Sequence, residues 1–309
     1  MAVSTGLLSI ADLTSEEIQH LIKSAAFFKG GHRGGAALKG KTIALLFEKP
    51  SLRTRVSFEV AMWQLGGYAI YLSPAEVGLG KRESISDVAR TLSRFVNGIV
   101  ARTFAHETLE LLAKHATVPV INGLSDHEHP CQVLGDLLTI LDKKGDLKGR
   151  HLAYVGDGNN VARSLILATA AVGMDFSIAS PPGYELDKAA LRQAKKLASQ
   201  SGAKIATMAE PRLAVENADV VYTDVWTSMG QEAESEVRRR AFASYQVDAA
   251  LLSRARKGAL FMHPLPAHHG EQNHKGHLDQ PQSDVIDQAE NRLHIQKAIL
   301  VRALGGKPV

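Results

Sequence analysis

The amino-acid sequence predicts an α/β protein of two domains, each a parallel sheet flanked by helices, with the active site in the cleft between them. Three observations carry this expectation. Strand-like apolar runs alternate with helix-period segments along most of the chain. A Gly/Lys/Asp-rich link at 143–149 divides two such series. The residues suited to chemistry gather where strands end or helices begin, and open α/β sheets bind ligands beyond the carboxyl ends of their strands.

Taken in order, Thr14 or Ser15 caps a first helix running to about Lys29. An apolar strand follows at 42–47, and Ser51 caps a helix that Gly66-Gly67 ends. Val56, Val60 and Trp63 fall on one face of that helix, which makes Trp63 a core residue. Strands at 68–72, 98–102 and 118–122 alternate with helices at 84–95 and 108–115, and a helix at 130–141 comes next. Within 84–95, Ile85, Val88 and Leu92 point inward. The second series has strands at 151–155, 175–179, 204–207, 219–223 and 259–262, with helices in the gaps. A last helix at 291–304 is apolar on one side and suits a return to the first domain. The expected domains are therefore 1–142, with 290–309 packed back on it, and 143–289.

Composition narrows the function classes. A chain of 309 residues can hold two ordinary domains, and 45% hydrophobic with 22% charged residues suits a globular protein. The net charge of +4 comes without a dense Lys/Arg block, which argues against a nucleic-acid groove. The Arg238-Arg239-Arg240 run lies among mixed charges and reads as a solvated helix face. No apolar run approaches the ~20 residues that span a bilayer, so no membrane partner is expected. The N-terminus lacks a secretory signal pattern. Cys131 is the single cysteine, which rules out an internal disulfide and suits the cytoplasm. No metal-ligand spacing is evident, and neither metal nor cofactor is expected.

The segment Glu48-Lys49-Pro50-Ser51-Leu52-Arg53-Thr54-Arg55 is the most informative. A helix N-terminus offers unpaired N–H groups and partial positive charge; hydroxyls and a guanidinium complete a phosphate cradle. Arg53 and Arg55 lie two apart and point to different sides, so at most one faces a ligand. A capped helix with solvated arginines is the plain alternative. Arg102 ends the third strand, and His129-Pro130-Cys131-Gln132 opens the helix after the fourth. In the second half, Gly156-Asp157-Gly158-Asn159-Asn160, Asp224-Val225-Trp226-Thr227-Ser228-Met229-Gly230 and His263-Pro264-Leu265-Pro266 each follow a strand. Taken alone, His129 reads as a helix cap, Asp224 as a turn residue, and Asn160 as the cap of the helix from Val161. Cys131 reads as inert, and His268 and His269 as solvated loop residues.

Together these residues resemble the carbamoyltransferases, and within them the ornithine type, over almost the whole chain. The family pattern Ser-x-Arg-Thr-Arg is matched at 51–55, Arg at 102 and His-Pro-x-Gln at 129–132. Gly-Asp-Gly-Asn-Asn at 156–160, Leu-Pro-Ala at 265–267 and, most specifically, Asp-x-Trp-x-Ser-Met-Gly at 224–230 mark the ornithine type. The resemblance implies transfer of a carbamoyl group from carbamoyl phosphate to the δ-amine of L-ornithine, giving citrulline for arginine biosynthesis, in a homotrimer. It implies that Ser51, Leu52 through its backbone, Arg53, Thr54 and Arg102 hold the phosphate. His129 and Gln132 would hold the carbamoyl group, Arg292 would add charge, and Pro264 and Leu265 would complete the donor set. Arg53, Arg102 and His129 would be catalytic; Asn160, Asp224, Ser228 and Met229 would hold ornithine. Such residue types fit the chemistry. Amine attack builds negative charge on the carbonyl oxygen, and one lost donor of this kind costs ~3–4 kcal/mol. The δ-amine must react neutral although alkyl amines titrate near ~10.

Two positions depart from the family pattern. Pro264 stands where a cysteine usually helps orient and deprotonate the amine, so the proton must leave through water, a phosphate oxygen or Asp224. His-Pro-Leu-Pro is also similar to the aspartate type. Gly78 stands where some relatives place a polar side chain that reaches a neighbouring subunit, a part left to Lys81 or Arg82. Other acceptors (aspartate, putrescine, an acylated ornithine) are the rivals within the class; Asp224 disfavours aspartate, and an acylated ornithine lacks the α-ammonium it would bind. A nicotinamide dehydrogenase is a remote rival, because Val161 occupies the third glycine position and no ribose-binding acid follows the next strand. A non-catalytic amino-acid-binding protein would have no use for a phosphate cradle.

Overall fold

The computed structural model describes residues 6–31, 35–267, 272 and 284–306. His268 and His269 lie outside the described residues. The chain divides into two compact units, one holding the residues up to Leu138 and those from Glu290, the other Thr139–Ala289.

The first unit is built on a four-stranded parallel sheet in the order β2-β1-β3-β4. The strands are β1 (Thr42–Phe47), β2 (Tyr68–Leu72), β3 (Gly98–Arg102) and β4 (Val120–Leu124). Central strands of a parallel sheet are covered on both faces, and β1 and β3 are accordingly almost continuous apolar, buried runs. Around them lie α1 (Ser15–Lys29), α2 (Leu52–Gln64), α3 (Pro74–Val77), α4 (Ile85–Phe95), α5 (His106–His115) and the start of α6 (Pro130–Lys144). Thr14, not Ser15, caps α1, in a capping box with Glu17. One face of the sheet (Ala44, Leu46, Ile99, Ala101) packs against Val88 and Ala89 of α4 and Leu109 and Leu112 of α5.

Strand β4 begins two residues later than expected. Pro119 has no N–H for the ladder, although its carbonyl still accepts from Ile99 N at 2.9 Å. A register shift beside Gly123 then carries the pairing on to Leu124. The buried face of α2 also differs from the one periodicity suggests. Thr54, Phe58, Ala61 and Met62 are buried, whereas Trp63 is 73% exposed and Val56 is exposed too. The helix carries two apolar stripes, and the sheet takes the one that includes Phe58.

The second unit has a five-stranded parallel sheet in the order β7-β6-β5-β8-β9. Its strands are β5 (His151–Val155), β6 (Asp175–Ala179), β7 (Ile205–Met208), β8 (Val220–Tyr222) and β9 (Leu260–Met262). The helices are α7 (Asn160–Val172), α8 (Lys188–Ser201), α9 (Pro211–Val215), α10 (Ser235–Phe242) and α11 (Ala249–Leu252). Residues 161–172 of α7 are buried throughout, which its Ala/Leu/Ile-rich sequence allows. On the other face, Ala153, Val155, Val221 and Phe261 pack with Val215, Trp226, Phe242 and Tyr245. The final helix, α12 (Val285–Leu304), starts six residues before the expected 291. At its start, Asp284 and Asp287 meet Lys143 at 2.7 and 2.5 Å. From Glu290 onward it belongs to the first unit, where Arg302 pairs with Glu17 at 2.7 Å.

The expectation of a solvated Arg238 is also corrected. Arg239 and Arg240 are exposed, but Arg238 is buried. Its partner Asp157 lies 81 residues away, beyond the reach of local charge patterning. No helix among the described residues is long and apolar enough to cross a membrane.

Both sheets reverse their winding beside a central strand, between β1 and β3 in the first and between β5 and β8 in the second. Such switch points open crevices at the carboxyl ends of the two strands concerned.

Candidate functional site

In the first unit, the switch point carries Ser51–Thr54 after β1 and Arg102 at the end of β3. Phe47 and Arg102 are paired in the sheet, and Glu48 N donates to Arg102 O at 2.8 Å. Ser51 Oγ accepts from Thr54 N at 3.2 Å and caps α2. Thr54 is fully buried, and its hydroxyl oxygen accepts from Arg292 Nη2 at 2.7 Å, with Arg102 Nη1 at 3.5 Å. Arg53 is half-buried on the same first turn. Arg55 points elsewhere, pairing with Glu59 at 3.0 Å and stacking 3.8 Å over the Tyr71 ring.

Thus two guanidinium groups meet one hydroxyl, and a third, Arg53, is near enough to act on Arg102. Among the described residues, no carboxylate pairs with Arg53 or Arg102, and Arg102 Nε has no hydrogen-bond partner. Burial, then Arg292 and Arg53, push Arg102 down to about 10. Burial alone lowers Arg53. Two such guanidinium groups, Arg53 and Arg102, with no carboxylate partner among the described residues suit an anion.

His129 O accepts from Gln132 N at 3.1 Å, so its backbone opens α6 while its side chain is buried. Burial, then Arg292 and Arg102, hold the imidazole well below its usual value, in the neutral form. Gln132 Nε2 donates to Asp136 Oδ1 at 2.8 Å, which leaves Oε1 as the acceptor end of that amide. Cys131 is fully buried, donates to Asn122 O at 3.3 Å, and has its thiol pushed up to about 12 by burial. That thiol is inert.

In the second unit, the switch point carries 156–160 after β5 and 224–230 after β8. Thr223 Oγ1 donates to Val155 O at 2.7 Å and ties the two strand ends together. Gly158 is required by close approach, since a Cβ there would lie 2.4 Å from Leu186 N. The helix cap is Asn159, not Asn160: its Oδ1 accepts from Val161 N at 3.0 Å and Ala162 N at 3.1 Å. Asn160 is the first residue of α7. Asp224 is buried, with Oδ2 accepting from Asn159 Nδ2 and Oδ1 from Val225 N, each at 2.8 Å. Burial raises Asp224 to about 6, against the lowering effect of these two donors.

Arg238 braces both loops. It donates to Asp157 Oδ2 at 2.7 Å and to Trp226 O at 3.1 Å, and it lies over the Tyr184 ring. Trp226 itself is core, stacked on Phe242. Ser228 and Met229 lie farther along the loop. Ser228 N donates to Gln231 Oε1 at 3.1 Å, Met229 is exposed, and among the described residues neither bonds to Asp224. Pro264 and Leu265 follow β9; Leu265 N donates to His263 O at 2.9 Å, and the Leu265–Pro266 peptide is cis. Gly78 is the left-handed cap of α3, and Arg82 Nη1 donates to Glu76 O at 3.1 Å within the same loop.

Sequence reasoning misses three participants: Asn159, Asp136 and Arg238. Asp136 lies one turn after Gln132, a spacing that places two side chains together on a helix. Asn159 is masked by the identical residue beside it, and nothing local marks Arg238.

The fold and these strand ends define a carbamoyltransferase-type protein. Residues 6–142 match the carbamoyl-P binding domain of aspartate/ornithine carbamoyltransferase, and 148–303 match its Asp/Orn binding domain. The chain belongs to the aspartate/ornithine carbamoyltransferase family. Among its relatives, ornithine carbamoyltransferase of Anoxybacillus flavithermus is 52% identical over 300 residues, covering 96% of each chain. The anabolic ornithine carbamoyltransferase of Pyrococcus furiosus is 51% identical over 303 residues, covering 97% of this chain and 96% of the relative. A solved structure of ornithine carbamoyltransferase from Pyrococcus furiosus superposes with a TM-score of 0.95 at 50% identity, covering 99% of this chain and 98% of the other.

Proposed function

We propose that this chain transfers the carbamoyl group of carbamoyl phosphate to the δ-amine of L-ornithine, releasing L-citrulline and phosphate, by direct amine attack that needs no metal. The observation that carries the reading is the meeting of Arg102 and Arg292 at Thr54, with Arg53 near enough to lower Arg102 and no carboxylate on Arg53 or Arg102 among the described residues. A dianionic phosphate would supply that missing charge, and guanidinium forks suit its oxygens.

In this reading, 1–142 with 290–309 is the carbamoyl-phosphate-binding domain and 143–289 the ornithine-binding domain. Ser51, the Leu52 backbone, Arg53, Thr54 and Arg102 hold the phosphate, Arg292 adds charge, and the Pro264–Leu265 turn contributes to the donor set. A neutral His129 donates one ring N–H to the carbamoyl oxygen, where charge develops during attack. The carbamoyl –NH2 needs an acceptor, and Gln132 offers Oε1, because one N–H of its amide is bonded to Asp136 and turns the nitrogen end that way. As the C–O bond to phosphate breaks, Arg53 and Arg102 stabilise the departing charge. Asp224 binds the α-ammonium group of ornithine, with Asn160, Ser228 and Met229 lining the rest of the acceptor.

The proposed assembly is a homotrimer. Leu52, Val56, Trp63 and Tyr68 expose apolar side chains on α2 and β2, which supports a face covered by another copy. Sedimentation of the purified chain tests it. The single buried cysteine suits the cytoplasm, where citrulline formation would serve arginine biosynthesis.

The test of the activity is citrulline production from carbamoyl phosphate and ornithine, run beside aspartate, putrescine and N-acetylornithine. Ornithine is expected to give the highest kcat/KM. A higher value for any of the other three overturns the assignment of the acceptor.

A further inference from the structure

We propose that Asn159 is a positioning residue for the acceptor: its Nδ2 fixes the Asp224 carboxylate so that a chosen set of oxygen lone pairs meets the incoming ammonium group. The inference rests on the reading of Asp224 as the acceptor's ammonium partner.

The two ends of the Asn159 amide have separate commitments. Oδ1 is committed to α7, accepting from Val161 N at 3.0 Å and Ala162 N at 3.1 Å, with the Tyr154 hydroxyl at 3.4 Å. An amide is planar, so a fixed Oδ1 dictates where Nδ2 points. It points at Asp224 Oδ2, 2.8 Å away. The second oxygen is held by Val225 N, also at 2.8 Å. Each carboxylate oxygen therefore has one lone-pair direction filled by a neutral donor and one left for a ligand in this reading. The frame is rigid, because Thr223 Oγ1 bonds Val155 O and the Tyr154 and Tyr222 rings stack at 5.8 Å beneath the two strand ends.

The donor's neutrality matters as much as its direction. An arginine or lysine at position 159 would hold Asp224 as firmly but cancel its charge. An amide orients the carboxylate and leaves the charge for the ligand. The other charged groups near it respect this arrangement: Asp157 raises Asp224 further, and Arg238 is engaged by Asp157 and Glu234.

The experiment must separate this role from simple capping of α7. Asn159→Ser keeps a capping oxygen and lacks Nδ2; Asn159→Asp keeps the cap and sets a second carboxylate against Asp224. Binding of L-norvaline, which has ornithine's α-groups but no δ-amine to react, is measured in the presence of carbamoyl phosphate across pH 5 to 8. A lost hydrogen bond to a charged group predicts norvaline affinity weaker by about 10- to 100-fold in N159S. The midpoint of the acid loss of binding, near 6 in the wild type, should move to higher pH, because the removed donor favours the carboxylate form. N159D should bind worse than N159S at pH 8, and it serves as the deciding variant should N159S not fold. Carbamoyl phosphate affinity should be unchanged in both. Norvaline affinity and midpoint at parity with wild type in a folded variant overturn the inference alone. A wild-type protein that makes no citrulline and binds no norvaline overturns the functional reading, and this inference with it.

Discussion

The two switch points are alike in topology and opposite in charge. In the first unit, Arg102 and Arg292 meet at Thr54 with Arg53 nearby, and burial and their mutual repulsion show in the lowered Arg102. In the second, a buried Asp224 is held by an amide and a backbone N–H, with its carboxyl raised to about 6. One region gathers positive charge, with no carboxylate on Arg53 or Arg102 among the described residues; the other holds a reluctant negative charge at Asp224. Each site is thus built uncomfortable in the direction its ligand relieves. In the proposed reading, a phosphate quenches the first and an ammonium group the second. The supports differ accordingly: the cradle rests on a capped helix and a strand end, the acceptor loops on the Arg238 brace and the Asn159 bridge.

Substitutions can break or sharpen that contrast. The largest effect is expected at the cradle. Arg102→Met should lower kcat/KM by about 10²–10³-fold, on the scale of ~3–4 kcal/mol for one lost transition-state donor. It should leave the ligand-free melting temperature equal or higher, since repulsion is relieved; a drop of several degrees would show the cations to be structural. Next, Arg238→Met should destabilise the second unit by about 3 kcal/mol, because it strands Asp157 without its partner. Denaturant unfolding reads this, and an unchanged midpoint would remove Arg238 as the brace.

Asp224→Asn comes third. Ornithine KM should rise about 10- to 100-fold, the scale of a charge-assisted hydrogen bond, while KM for carbamoyl phosphate holds. Equal losses for both substrates would contradict the division of roles. Its stability effect has a definite sign. The folded carboxyl is raised above its unfolded value of 3.8 to about 6, so its favourable contribution is full below 3.8 and lost as pH rises through about 6. Asp224→Asn should therefore be more stable than wild type at pH 8, with the gain shrinking towards pH 4.5 in thermal melts. The smallest effect is that of salt. Added KCl should raise KM for carbamoyl phosphate more than KM for ornithine, because several charges act at the cradle and one at the acceptor loops. The reverse order would undo the contrast.

Much of this is readable in the chain because strand ends have local signatures. Hydroxyls, glycines and arginines after apolar runs locate Ser51, Arg102, Asp157 and Asp224 at the carboxyl ends of their strands. The alternation of elements likewise foretells two parallel sheets. What escapes depends on partners distant in sequence or on single-residue register. Trp63 reads as core because α2 carries two apolar stripes, and only the sheet decides which is buried. Arg238 resembles its solvated neighbours until Asp157 meets it from another strand end. Of two adjacent asparagines, periodicity cannot say which caps and which begins the helix. Asn159 does the capping, and that one-residue difference creates the bridge to Asp224.

Cys131 gives the protein an internal reporter. With the sulfur fully enclosed and its ionisation suppressed, electrophiles in solution find nothing to attack while the first turn of α6 stays closed. Modification by an excess of a thiol reagent then waits on local opening. Its rate measures how often the segment next to His129 breathes, and slower labelling with carbamoyl phosphate present would put a number on how firmly the donor clamps that turn.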